Sequence, residues 1–263
     1  MLPPMRLTIL LTCLPVLLSL TTGCATPAPS PQLLVFGEQH DQPDQQRQVA
    51  EKVGALAAEG RLAAVVLEMA ERGRDTRALP RDASEAQARE ALAWTGWPWE
   101  PYAAVVMNAV RAGVPVFGGN QPRVELRAAM VDPALDARVP AAARAELAAA
   151  VREGHCGLLP AAQEPGMVRV QIARDLALAA TAQQAINGAA PGQQVLLLTG
   201  AQHASRERGV PLHLHLQAGT TLQVVMFGTG DADGLRADER RPFVVTPRLD
   251  ACEEFRRQQQ VAG

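Results

Sequence analysis

The 263-residue chain is short of several things at once, and each shortage removes a class of function. Its formal net charge is −2, so no positive excess exists to hold a polyanion, and a nucleic-acid partner is excluded on bulk charge. Lys52 is the one lysine among 25 basic residues, a composition bias that carries no functional reading. No Walker-type or dinucleotide glycine pattern occurs, which removes the phosphate cradles of the common nucleotide folds. The apolar run over residues 7–20 is too short to cross a bilayer. Aromatic residues make up 3% of the chain: five phenylalanines, three tryptophans and one tyrosine. Cysteine is scarce too, with four in all.

The short apolar run has a use of its own. Arg6 precedes it, and it ends in Leu20-Thr21-Thr22-Gly23-Cys24, so residues 1–23 read as a bacterial lipoprotein signal peptide with Cys24 as the lipidated residue. Acylation there anchors the chain to a lipid bilayer. Residues 24–31 contain three prolines and read as a stiff tether. Residue 25 is alanine rather than aspartate, so the expected location is the cell envelope, at the outer membrane facing the periplasm. Cys13 leaves with the signal peptide and Cys24 takes lipid. Cys156 and Cys252 then remain, and a disulfide is the default in an oxidising space. Metal ligation by His155 and Cys156 is the alternative.

Two stretches organise the rest. Leu33-Leu34-Val35-Phe36-Gly37-Glu38-Gln39-His40 and Val195-Leu196-Leu197-Leu198-Thr199-Gly200-Ala201-Gln202-His203 are both continuous apolar runs that end in Gly-x-x-His. Such runs suit strands covered on both faces, as in a parallel sheet. Ligands bind at the carboxyl ends of strands in open α/β sheets, so two tips side by side define one site. Residues 64–69 form a further buried strand that brings Glu68 to the same edge, behind a helix over residues 44–60. Residues 114–118 and 222–227 add strands, and residues 242–246 a sixth at an edge. Helices are expected over residues 103–112, 124–130, 140–152 and 167–186. The predicted class is α/β: a single domain over residues 32–252, a mainly parallel central sheet of about five or six strands flanked by helices, then a polar tail over residues 253–263.

Four of the few aromatic side chains, Trp94, Trp97, Trp99 and Tyr102, fall within nine positions around Gly96, Pro98 and Pro101. Proline and glycine forbid a long regular element there, and an aromatic subcore under a loop is the plain reading. Flat apolar surface with one phenol also suits a porphyrin. Arg123, after a strand end, and Arg206, after His203, are placed to meet anionic groups. On the helix over residues 167–186, Gln171 and Asp175 share a face, from which Asp175 can orient an imidazole.

The GEQH, Leu67-Glu68-Met69, WPWEPY, Asn120-Gln121-Pro122-Arg123, His155-Cys156-Gly157, RVQIARD and GAQHASRERGVP segments together resemble the ChaN-like haem-binding lipoproteins over residues 33–252. That family is grouped with Tiki-type metalloproteases and erythromycin-esterase-like proteins. The resemblance implies haem as cofactor, iron held through a tyrosine (here Tyr102), Trp97 and Trp99 along the porphyrin, Arg123 and Arg206 at its carboxylates, a homodimer when loaded, and an outer-membrane haem receptor as partner. It also implies a rival, a metal-dependent hydrolase in which His40 and His203, with Glu38 or Glu68, hold a divalent ion and an activated water. A metal-free hydrolase with His40 or His203 as general base uses the same residues.

Overall fold

The computed structural model describes residues 30–228 and 235–248, with residues 250, 252, 253, 256 and 257 near the carboxyl terminus. The expected signal peptide, the Cys24 lipidation site and most of the tether and tail lie outside these residues.

Strand β1 (Gln32–Glu38) is buried from Leu33 onward, as four consecutive apolar residues require. It is followed by helix α1 (Pro43–Ala58), strand β2 (Leu62–Glu71), helices α2 (Glu85–Ala91) and α3 (Glu100–Ala112), and strand β3 (Val116–Asn120). Then come helices α4 (Leu126–Val131), α5 (Ala141–Gly154) and α6 (Glu164–Asn187). Strand β4 (Gln194–Gly200) leads directly into the single turn α7 (Ala201–Ala204), and strands β5 (Thr221–Phe227) and β6 (Glu239–Arg241) complete the order.

The six strands form one sheet in the order β3-β2-β4-β1-β5-β6, with every pairing parallel. The predicted sixth strand over residues 242–246 is not a strand. The edge is β6 at Glu239–Arg241, and Pro242, which lacks an N–H, stops it. The third strand likewise begins two residues later than predicted, after Pro115.

Alternate side chains of the buried strands feed two cores. Phe36, Leu67 and Leu198 pack with Val53 of α1 and Val106 of α3 on one face. Val35, Val66 and Leu197 pack with Leu178 and Ala182 of α6 on the other. Burying one such leucine or phenylalanine contributes roughly 1.5–3 kcal/mol. A third cluster, Leu147 and Val151 against Val168 and Ile172, fastens α5 to α6. Cys156, just beyond α5, is joined to Cys252 by a disulfide with a Cα–Cα distance of 5.4 Å across a separation of 96 residues. Among the described residues no helix is long and apolar enough to cross a membrane.

Candidate functional site

The middle of the sheet fixes the site. Because β4 lies between β2 and β1, the carboxyl ends of these three strands adjoin, with Gly37 opposite Thr199, Glu38 opposite Gly200 and Leu67 opposite Leu198. Both glycines are demanded by close approach. A Cβ at Gly37 would run into Met226 and Ala204, and one at Gly200 would sit 3.0 Å from His40 Nε2.

Three buried carboxylates and two imidazoles meet there. Glu68 Oε2 accepts from the Thr199 hydroxyl and the Gly200 N–H, both at 2.7 Å. His40 Nε2 lies 3.8 Å from Glu68 Oε2, and His203 Nε2 lies 3.6 Å from Glu68 Oε1. Each imidazole rests its other nitrogen on a separate carboxylate: His40 Nδ1 on Glu38 Oε1 at 2.9 Å, and His203 Nδ1 on Asp175 Oδ1 at 2.7 Å. The two Gly-x-x-His tips therefore converge on one glutamate.

Burial alone would make His203 less basic, but Glu68 and Asp175 beside it outweigh that and push its pKa up to about 9. Burial pushes Asp175 up to about 6 against the pull of His203. Burial would also raise Glu68, yet His203, His40 and the two hydrogen bonds bring it down to about 2. At neutral pH His203 is thus an imidazolium between two carboxylates. His40 is shifted the same way: burial opposes, and the hydrogen bond to Glu38 with the charge of Glu68 prevails.

Tyr102 has another position than the one expected. Its side chain is fully buried, its hydroxyl donates to Glu38 Oε1 at 2.7 Å, and it does not line the main cavity. Burial first, and the negative Glu38 next, push its pKa well above the ordinary value. Gln46 Nε2 donates to the other oxygen of Glu38 at 2.5 Å. Glu38 therefore accepts from a phenol, an amide and an imidazole, and this fixes the ring of His40. Trp99 is also misplaced by the expectation. It is buried, with its indole N–H on Glu85 at 2.8 Å and its ring against Trp94 at 5.0 Å. Arg206 turns to the far side, where it pairs with Asp238 and the Leu222 carbonyl.

Trp97 stays at the mouth of the site. It is half-buried and tilts over the His40 ring at 4.6 Å. Both rings line a cavity of about 600 Å³, within the range of small-molecule sites. Its other wall is apolar, formed by Leu147, Ala150 and Val151 of α5, and Gln171 and Arg174 of α6 reach it from the side. Arg123 is exposed on an adjoining smaller cleft. A second cavity of about 570 Å³ opens at the opposite end of the sheet, beside Leu62 and Gln193, but it lacks this convergence of titratable groups.

A flat, largely apolar ligand bearing anionic arms fits the main cavity, given the α5 wall, Trp97 and the buried Arg174 Nε that has no hydrogen-bond partner. For a bare metal ion the fit is poorer. No three His, Cys, Asp or Glu side chains among the described residues stand as a cluster able to hold one. Asp175 was readable from its place on α6. Gln46, Thr199 and Arg174 were not singled out. For Gln46 the signal was its position three residues before Val49, on the buried face of α1.

Residues 26–214 match the family model described as "Haem-binding uptake, Tiki superfamily, ChaN". Among solved structures, the fold is similar to ChaN of Campylobacter jejuni, the subject of a structure of cofacial haem binding, at a TM-score of 0.63 and 19% identity over 78% of this chain and 85% of that one. The type III effector HopBA1 aligns at a TM-score of 0.45 and 14% identity over 74% of this chain and 76% of that one. No curated protein matches at the sequence level.

Proposed function

This chain belongs to the haem-binding uptake family of the Tiki superfamily, and on that premise we propose that it binds haem in the cavity at the carboxyl ends of β1, β2 and β4. The observation that carries the reading is the pairing of Trp97 with His40 in a cavity whose other wall is the apolar face of α5. When His40 is neutral, its Nδ1–H stays on Glu38 and its Nε2 is left as the free donor to iron, the usual way a carboxylate orients a ligating imidazole. Bound haem supplies an iron centre and a flat apolar body. Trp97 and the α5 wall would cover the body, and Glu38, Tyr102 and Gln46 keep His40 in register. Ligation by Tyr102 itself, which the family resemblance implies, requires the phenol to leave Glu38.

Titrating hemin into the purified protein tests both. A Soret shift retained in Tyr102→Phe and altered in His40→Ala supports this reading, the reverse pattern transfers the iron to Tyr102, and no shift in the wild type ends the haem proposal.

The cellular setting belongs to the same proposal. An envelope protein tethered through Cys24 and handling haem or iron agrees with the signal-peptide pattern and with a disulfide, which suits an oxidising compartment. Loss of palmitate labelling in Cys24→Ala is the check. The cofacial haem binding of the C. jejuni protein favours a loaded dimer, and an outer-membrane haem receptor is the partner we expect.

One observation favours a second reading, a metal-dependent hydrolase. Both imidazoles are backed by carboxylates and turn their Nε2 atoms to Glu68, which a divalent ion could use once His203 gives up its proton. Stoichiometric zinc, cobalt or manganese that is lost in His203→Ala, without hemin binding, would establish it.

A further inference from the structure

We infer that Arg174, assisted by Arg123 across Trp97, is the receptor for a carboxylate arm of the ligand, and that the small cleft beside the main cavity seats that arm. The inference rests on the haem reading and specifies how the ligand's anionic groups are held.

The cleft measures about 180 Å³ and shares Glu68, Trp97 and Arg174 with the main cavity. That is below the roughly 300–1,000 Å³ of whole small-molecule sites, so it accepts a substituent while the ring stays next door. Arg174 stands in the partition with its Nε buried and without a hydrogen-bond partner. Other partly buried arginines are paired, as Arg169 is with both oxygens of Asp136 at 3.0 and 2.8 Å.

The carboxylates near Arg174 make their hydrogen bonds elsewhere, and although Asp175 Oδ2 is buried without a partner, Arg174 does not bond to it. Glu68 Oε2 takes Thr199 and Gly200, and Asp175 Oδ1 takes His203. A guanidinium is charged at every relevant pH and offers a planar fork matched to a carboxylate, so Arg174 is a preformed half of a bidentate pair. Arg123 lies on the cleft's rim, its Nη1 3.8 Å from where a Cβ on Gly96 would stand. Its backbone N–H donates to Glu71 Oε1 at 3.0 Å, and its side chain is exposed.

The test compares hemin with hemin dimethyl ester, which has the same ring and iron but no free carboxylates, by absorbance titration of the purified full-length protein. The wild type is expected to prefer hemin by roughly tenfold or more, the effect of one charge-assisted pair. Arg174→Gln is expected to erase that preference while leaving the Soret position unchanged, and Arg123→Gln to reduce it. Equal affinity of the wild type for the two compounds overturns the inference without any variant, as does a preference that survives in a folded Arg174→Gln. Failure of hemin itself to bind overturns the haem reading first, and this inference with it.

Discussion

Replacing Tyr102 with phenylalanine separates a structural phenol from a ligating one. In the structure its hydroxyl donates 2.7 Å to Glu38, inside a side chain with no exposed surface. Deleting a hydrogen bond to a buried carboxylate costs roughly 1.5–3 kcal/mol. For a domain of this size each kcal/mol moves the melting temperature by about 2–4 °C, so Tyr102→Phe is expected to melt about 3–12 °C below wild type. Binding should change little, because Gln46 and His40 still hold Glu38. The energetics of a phenolate point the same way. Burial and the adjacent negative charge of Glu38 both raise the phenol's pKa, every tenfold loss of acidity opposing ionisation by about 1.4 kcal/mol, and a neutral phenol is a poor ligand for ferric iron. Calorimetry and hemin titration on one preparation decide the matter. A Tyr102→Phe protein as stable as wild type but with an altered Soret band would refute this reasoning.

The pH dependence of stability follows from His203. Its folded pKa is raised from 6.5 to about 9, so its contribution is complete below pH 6.5 and is lost as pH rises through 9, about 3 kcal/mol at most. Denaturant unfolding between pH 6.5 and 9.5 should show this fall, and His203→Gln should flatten it; the raised pKa of Asp175 has an effect of the same sign but acts between pH 3.8 and 6. Reducing the Cys156–Cys252 bond, which closes 96 residues, should lower stability by about 4–5 kcal/mol, read as a shift in denaturant midpoint with and without reductant. Glu68→Gln removes the charge between the two imidazoles and strands the Thr199 hydroxyl and Gly200 N–H on a weaker acceptor. Proton NMR titration should then find both histidines less basic than in wild type.

How much of this was legible in the sequence depends on how far each residue's partners lie. The two strand tips were readable because an apolar run that stops at glycine and is followed by histidine is a local pattern, and parallel α/β sheets bring such ends to one edge. The orientation of Tyr102 was readable too, by a different rule. Tyr102, Val105, Val106, Ala109 and Val110 repeat at helical spacing and are all buried, so the phenol belongs to the inner face of α3. Its position beside three tryptophans drew attention to chemistry and away from periodicity. Arg206 could not be assigned locally, because Asp238 is 32 residues away. The isolation of Arg174 is legible only in three dimensions, since an unmatched donor is defined by what every neighbouring element fails to offer.

The charge arrangement explains how three carboxylates can be buried side by side at the sheet edge. Glu38, Glu68 and Asp175 are all buried, and unpaired carboxylates in such a place would be strongly destabilising. The His203 imidazolium offsets part of their charge, the raised His40 lies beside Glu38 and Glu68, and Thr199, Gly200, Tyr102 and Gln46 supply hydrogen bonds. A divalent ion seated between both imidazoles must displace the His203 proton. Its apparent affinity would then climb by up to about tenfold per pH unit until pH 9. A porphyrin bound through His40 Nε2 must also find His40 without its proton, but it leaves the His203–Asp175 pair protonated, so its affinity lacks the part of the slope that His203 sets. The climb in affinity that continues through the His203 titration toward pH 9 therefore marks the divalent ion, and its absence marks the porphyrin.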